Sequence, residues 1–269
     1  MSGQGLENIA TSRALAAEAW AEAHELIDLQ LSPLGLRAMD SLDLRPGSVV
    51  LDVGCGAGQT LVQLAERVGP AGQVIGVDIA PGLLDIARRR TAGLPQVRLI
   101  EADAQSLDLP AASADAVFSR FGVMAFQDPV AAFASFRRIL RPSGVLAFSC
   151  WRSLEENELD HFPLSAAGLD AAVDETPFSL ADPDRLRRVL DAAGFRGVAI
   201  RAHDESVSSG DLDAMTRVLL KVGPLGRIVR ESPALQAVAE PRLREALAAL
   251  GDPSGVRLLA SVWIVAARA

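Results

Sequence analysis

A nearly unbroken apolar run, Val49-Val50-Leu51-Asp52-Val53, opens directly into Gly54-Cys55-Gly56-Ala57-Gly58. Such a run suits a strand buried on both faces, the environment of a parallel sheet covered by helices on either side. The glycines permit a tight turn and let a ligand approach backbone that carries no Cβ. Gln59-Thr60-Leu61-Val62-Gln63-Leu64-Ala65-Glu66-Arg67 then carries the spacing of a helix leaving that turn. In sheets of this kind ligands sit outside the carboxyl ends of the strands, where Gly54, Cys55 and Gly56 fall.

Two details narrow the ligand. The glycine spacing is G-x-G-x-G, and Gln59 stands where a dinucleotide fingerprint has Gly or Ala. Asp52, two residues before the first glycine, would repel a pyrophosphate but suits a ligand carrying an amine and a sulfonium. A second acid, Asp78, ends the run Val74-Ile75-Gly76-Val77 and can accept hydrogen bonds from both hydroxyls of a ribose. Together these details point to S-adenosylmethionine rather than NAD. Asp52 and Gln59 disfavour the alternative of an NAD(P)-dependent oxidoreductase.

From Ser48 onward strands and helices alternate, the signature of a parallel sheet with crossover helices. Strands are expected over 48–53, 73–77, 97–101, 115–119, 145–150, 198–202 and 256–267. The expected fold is α/β: a Rossmann-like, doubly wound, mostly parallel seven-stranded sheet with N-terminal helices and a helical cap. Residues 1–43 read as a helical lid of one or two helices, with Pro33-Leu34-Gly35 breaking the pattern. Residues 44–203 read as the core, interrupted at 153–181 by an acceptor-side insertion of loop and short helical pieces. Residues 204–255 form a cap insertion, with helices at 211–222 and 234–250 parted by Gly223-Pro224-Leu225-Gly226, and 256–269 supply the final strand.

The motifs Val50 to Gly58, Gly76-Val77-Asp78-Ile79, Glu101-Ala102-Asp103-Ala104, Asp115 to Phe121 and Ile139 to Leu146 occur in order. In these the chain resembles the class I S-adenosylmethionine-dependent methyltransferases, and is similar to the ubiquinone and menaquinone biosynthesis group, over roughly residues 43–151. The resemblance implies that Asp103 accepts a hydrogen bond from the adenine amine and that the Ala104 N–H serves a ring nitrogen. Asp103 also reads as a helix N-cap. Ile79 either packs on the adenine face or is core. Arg120 either binds the methionine carboxylate or an anionic acceptor, or makes a surface ion pair. Trp20 either lies over the cofactor as part of the lid or is a core contact. Met124 and Phe126 either line an apolar pocket or pack in the core.

The function expected is methyl transfer from S-adenosylmethionine to a small-molecule acceptor, aromatic or quinone-like among others, by in-line displacement in an apolar cleft. The alternative in another class is a catalytically silent S-adenosylmethionine-binding regulatory or interaction protein. With 26 basic and 34 acidic residues the net charge is -8, which argues against a nucleic-acid substrate. No apolar run is long enough to span a bilayer, the start lacks a basic-then-apolar signal, and Cys55 and Cys150 do not suggest a disulfide scaffold, so a cytoplasmic location is expected. There is no Tyr, so a general base would be His24, His161 or His203, with His161 favoured by its place in the insertion. No zinc-like ligand spacing occurs.

Overall fold

The computed structural model describes residues 3–251 and 255–269. In chain order the elements are α1 (Gly3–Glu22), α2 (His24–Met39), β1 (Val49–Val53), α3 (Gln59–Val68), β2 (Gln73–Asp78), α4 (Pro81–Arg90) and β3 (Val97–Glu101). There follow β4 (Ala114–Arg120), α5 (Pro129–Ile139), β5 (Leu140–Trp151), α6 (Glu158–Ala167), α7 (Pro183–Ala192), β6 (Arg196–Val207), α8 (Leu212–Leu219), α9 (Gly223–Glu231), α10 (Gln236–Leu250) and β7 (Leu258–Arg268).

One seven-stranded sheet runs in the order β3-β2-β1-β4-β5-β7-β6. The β1–β2, β1–β4, β2–β3 and β4–β5 pairs are parallel, and β7 enters antiparallel to β5. The strand order reverses between β1 and β4, and in doubly wound sheets ligands bind at that reversal. The expected seven-stranded, mostly parallel sheet is therefore present.

Apolar spacing explains the helices on it. Leu61, Leu64, Ala65 and Val68 make one buried stripe of α3. Two compact units divide the chain. The sheet unit comprises Pro33–Ser153, Thr176–His203 and Ser261–Ala269. Its core includes Phe133, Phe136 and Phe148, with Phe133 and Phe136 edge to face at 5.9 Å and Phe133 and Phe148 5.4 Å apart. The helical unit gathers the described residues of Met1–Ser32, Leu154–Glu175 and Asp204–Ala260. The lid, insertion and cap read as three separate pieces in the sequence thus contribute to one unit.

Three local expectations differ. Pro33 does not break α2, which runs through it. Interior proline normally costs about 3 kcal/mol, and here burial of Leu31, Leu34, Ala38 and Met39 offsets it. Gly223-Pro224-Leu225-Gly226 is the first turn of α9 and not a spacer, with Pro224 at a position where the missing N–H has no partner to lose. Residues 158–167 form a full helix, α6, that continues through Pro163.

Candidate functional site

Gly54, Gly56 and Gly58 all adopt left-handed backbone, at φ of 70°, 52° and 83°. The turn they make folds back on β2, where the Gly54 and Cys55 N–H groups donate to the Val77 carbonyl at 2.8 and 3.1 Å. A Cβ on Gly54 would lie 2.7 Å from the Gly122 Cα, and one on Gly58 would lie 2.9 Å from the Ala87 Cβ. A Cβ on Gly56 would meet nothing within 4 Å. Two glycines are therefore needed for internal packing, while the third faces open space.

Asp78 ends β2, and its carboxylate organises that open side. Oδ2 accepts from the Gly56 N–H at 2.8 Å and Oδ1 from the Ala80 N–H at 2.9 Å. Burial pushes its pKa up, and these backbone donors oppose the shift. Each oxygen keeps lone-pair capacity for a further donor. The next residue, Ile79, is 58% exposed, so it is not core. Ile79 thus presents a branched apolar side chain to solvent beside the partly exposed Asp78.

Asp52 lies deeper. It is 0% exposed, Oδ2 accepts from Thr60 Oγ1 at 2.5 Å, and Oδ1 has no hydrogen-bond partner. Burial raises its pKa to about 7, against the opposing influences of the Thr60 hydroxyl and the Arg120 charge. A nearby cation would draw it toward the charged form. Cys55 is buried, with its thiol pKa raised by that burial.

Arg120 closes β4 and donates to Gln59 Oε1 at the start of α3. A Cβ on Gly35 would come within 2.8 Å of the Arg120 Cδ, so that glycine makes room for the arginine stem. Asp103 caps the short 3₁₀ turn Ala104–Ser106, its Oδ1 accepting from the Gln105 N–H at 2.9 Å. The N-cap reading of Asp103 therefore holds, and Ala104 opens the capped turn.

Asp52, Gly54, Cys55, Gly56, Asp78 and Ile79 are thereby gathered at the carboxyl ends of β1 and β2, with Arg120 at the end of β4 and Asp103 and Ala104 just past β3. Trp20 is half-buried on α1, in the helical unit. Phe126 packs against Phe136 at 5.8 Å, and both it and Met124 adjoin the core. His24 and His161 belong to the helical unit and His203 to β6. His161 is exposed, and the His24 Nδ1 bonds the Ala21 carbonyl at 2.8 Å. Among the described residues no cluster of three His, Cys, Asp or Glu could hold a metal ion.

Sequence reasoning missed Thr60 and Ser119. The Ser119 Oγ is buried, donates to the Val53 carbonyl at 2.7 Å and accepts from the Gly122 N–H at 3.0 Å. It ties the loop after β4 to the end of β1.

Against this geometry, a family model described as a methyltransferase domain matches residues 50–144, from the middle of β1 to the start of the β5 hydrophobic run. Over those residues the chain is similar to methyltransferase domains. The matched segment holds the glycine turn, Asp78, Asp103 and Arg120. Over 120 residues the chain is 39% identical to an aklanonic acid methyltransferase of Streptomyces sp. strain C5, covering 44% of this chain and 54% of that one. A demethylmenaquinone methyltransferase of Staphylococcus saprophyticus is 26% identical over 188 residues, covering 64% of this chain and 81% of that one. The chain spans 34% and 54% of the length of two curated relatives that it matches at 42% and 39% identity. In fold it is similar to phosphoethanolamine N-methyltransferase 2 of Haemonchus contortus, with a TM-score of 0.56 at 17% identity, covering 88% of this chain and 52% of that one. Among the described residues no helix is long and apolar enough to cross a membrane.

Proposed function

We propose that this chain binds S-adenosylmethionine at the ends of β1 and β2 and transfers its methyl group to a small-molecule acceptor by in-line displacement. The observation that carries the reading is the Asp78 carboxylate, held by the Gly56 and Ala80 N–H groups beside the exposed Ile79 and the open side of Gly56. A nucleoside fits those groups: the acid meets the ribose hydroxyls, and Ile79 offers an apolar face to the base. The bound cofactor would supply a methyl group on a positively charged sulfur. Asp52 and Arg120 sit toward its amino-acid end, where one can neutralise an ammonium and the other a carboxylate. The protein's own contribution is alignment, since holding two reactants in line supplies much of a displacement rate.

The names of two relatives support an acceptor class. Aklanonic acid and demethylmenaquinone, named for two of them, make an aromatic or quinone-like small molecule the reading favoured here. The methyltransferase domain also favours transfer over a silent binding role.

The test is calorimetric titration with S-adenosylhomocysteine, with NADH as the control. Asp78→Ala is expected to weaken S-adenosylhomocysteine binding by about 1–3 kcal/mol, through lost hydrogen bonds and a loosened Gly56 turn. NADH binding in place of S-adenosylhomocysteine, or unchanged affinity in a folded Asp78→Ala variant, would overturn the assignment.

A further inference from the structure

Directly after Arg120 the backbone does something costly. Phe121 adopts φ of 64°, a left-handed conformation that a bulky aromatic residue rarely takes. The Phe121 N–H donates to the Ser149 carbonyl at 3.1 Å, and the Gly122 N–H that follows is held by Ser119 Oγ. Both sides of the strained residue are therefore fixed. The result is that the Phe121 ring lies on Trp151, the last residue of β5, with ring centroids 4.1 Å apart and planes inclined by 20°.

Packing of the core does not account for this arrangement. Phe133, Phe136 and Phe148 are fully buried, whereas Phe121 and Trp151 are only half-buried and lie outside the core cluster. Two large aromatic side chains are thus kept partly in water at the carboxyl ends of β4 and β5. Phe121 follows β4, next to the strand-order reversal, and precedes Gly122, which packs closely on Gly54 of the glycine turn, while Trp151 ends the neighbouring β5. A strained aromatic that buys no core burial is best explained by what it presents. A pair of rings in parallel stack offers a flat outer face, and flat rings bind there in offset stacks.

We propose that the Phe121–Trp151 stack is the acceptor subsite and that it seats a planar hydroxyaromatic or aromatic acid through its ring face. This rests on the methyltransferase reading above and specifies its acceptor. Phe121 and Trp151 act in it as specificity-determining residues through contact with the acceptor ring, and they leave cofactor binding to the β1 and β2 tips.

The probe is 1-hydroxy-2-naphthoate, titrated into the full chain saturated with S-adenosylhomocysteine, with octanoate as a carboxylate of similar size that has no ring. Phe121→Gly removes one ring at a backbone conformation that glycine adopts freely, so it keeps the loop. Trp151→Leu removes the other, and Trp151→Phe restores an aromatic face. Expected are naphthoate binding at least tenfold tighter than octanoate, a loss of about tenfold in naphthoate affinity for Phe121→Gly and for Trp151→Leu, and recovery to within about threefold for Trp151→Phe. S-adenosylhomocysteine affinity should stay within about twofold throughout. Naphthoate affinity unchanged in both ring-deleting variants, or octanoate binding equally well, would overturn the proposal while leaving cofactor binding intact. Wild-type protein that takes the naphthoate ring-dependently but does not take S-adenosylhomocysteine would instead sink the methyltransferase reading and leave the aromatic site standing.

Discussion

Ser119 shows how much of this site depends on a single hydroxyl. Its Oγ satisfies a buried carbonyl on β1 and a buried N–H in the loop after β4. Ser119→Ala leaves both without that partner, which should cost about 1–3 kcal/mol of stability. It should also loosen the contact between Gly54 and Gly122 and weaken S-adenosylhomocysteine binding severalfold. Urea denaturation alongside calorimetry measures both; a variant as stable as the parent and with the same affinity would show that the tie is dispensable. Ser119 was not legible in the sequence, because a serine inside a strand carries no local signal and its two partners are brought to it only by the β1–β4 pairing. The place of Asp78 at the end of β2 was legible because it depends on chain-local features, an apolar run ending in an acid. Asp52 was legible as an acid inside the first strand but not in its environment. Only the folded chain shows that the acid lies under the turn, hydrogen-bonded to Thr60 and raised to a pKa of about 7.

At the scale of elements, β1 to β4 matched their expected positions closely, because apolar runs and glycine turns alternate there, whereas β5 starts earlier than expected, at Leu140, and β6 runs on to Val207. The helical unit was harder to read. The α9 start reads as a spacer in the sequence, since Gly-Pro marks turns and helix starts alike. Inside this unit α6 carries Asp160, whose burial pushes its pKa to about 7 and whose Oδ2 has no partner. Its other oxygen is packed so closely on the start of α9 that a Cβ on Gly223 would lie 2.9 Å away. The pH dependence follows from the direction of that shift. Below the ordinary carboxylate value of 3.8 folded and unfolded chains both hold the proton; between there and about 7 only the folded chain keeps it. Stability should therefore fall as pH rises through this window and level off above it, by at most about 4 kcal/mol per such group. Asp52 contributes in the same direction. Asp160→Asn, which cannot ionise, should be more stable than the parent at pH 8 by about 1–3 kcal/mol and nearly equal to it at pH 4. Denaturant midpoints at the two pH values give the answer, and parallel pH profiles for the two proteins would count against a buried ionisation at this position.

For the molecule as a whole, the sheet was foreseeable and the grouping of the helices was not. Alternation along the chain dictates a doubly wound sheet, whereas three distant segments, each with a helix whose apolar face needs a partner, reveal their common unit only in three dimensions. The division has a measurable consequence. A ligand that binds only the folded state stabilises by mass action, by about 2.7 kcal/mol at a hundred times its Kd. A chain of this size gains roughly 2 °C per kcal/mol, so S-adenosylhomocysteine at that excess should raise the midpoint by about 5 °C. The stabilisation should begin where the ligand contacts the chain. Hydrogen exchange under native conditions should slow first at the Gly54–Gly58 turn, at Asp78 to Ala80 and around Gln105, the backbone donors that Asp78 and Asp103 already hold. Slowing confined to α8, α9 and α10, with the glycine turn unchanged, would place the ligand in the helical unit and displace the site from the sheet.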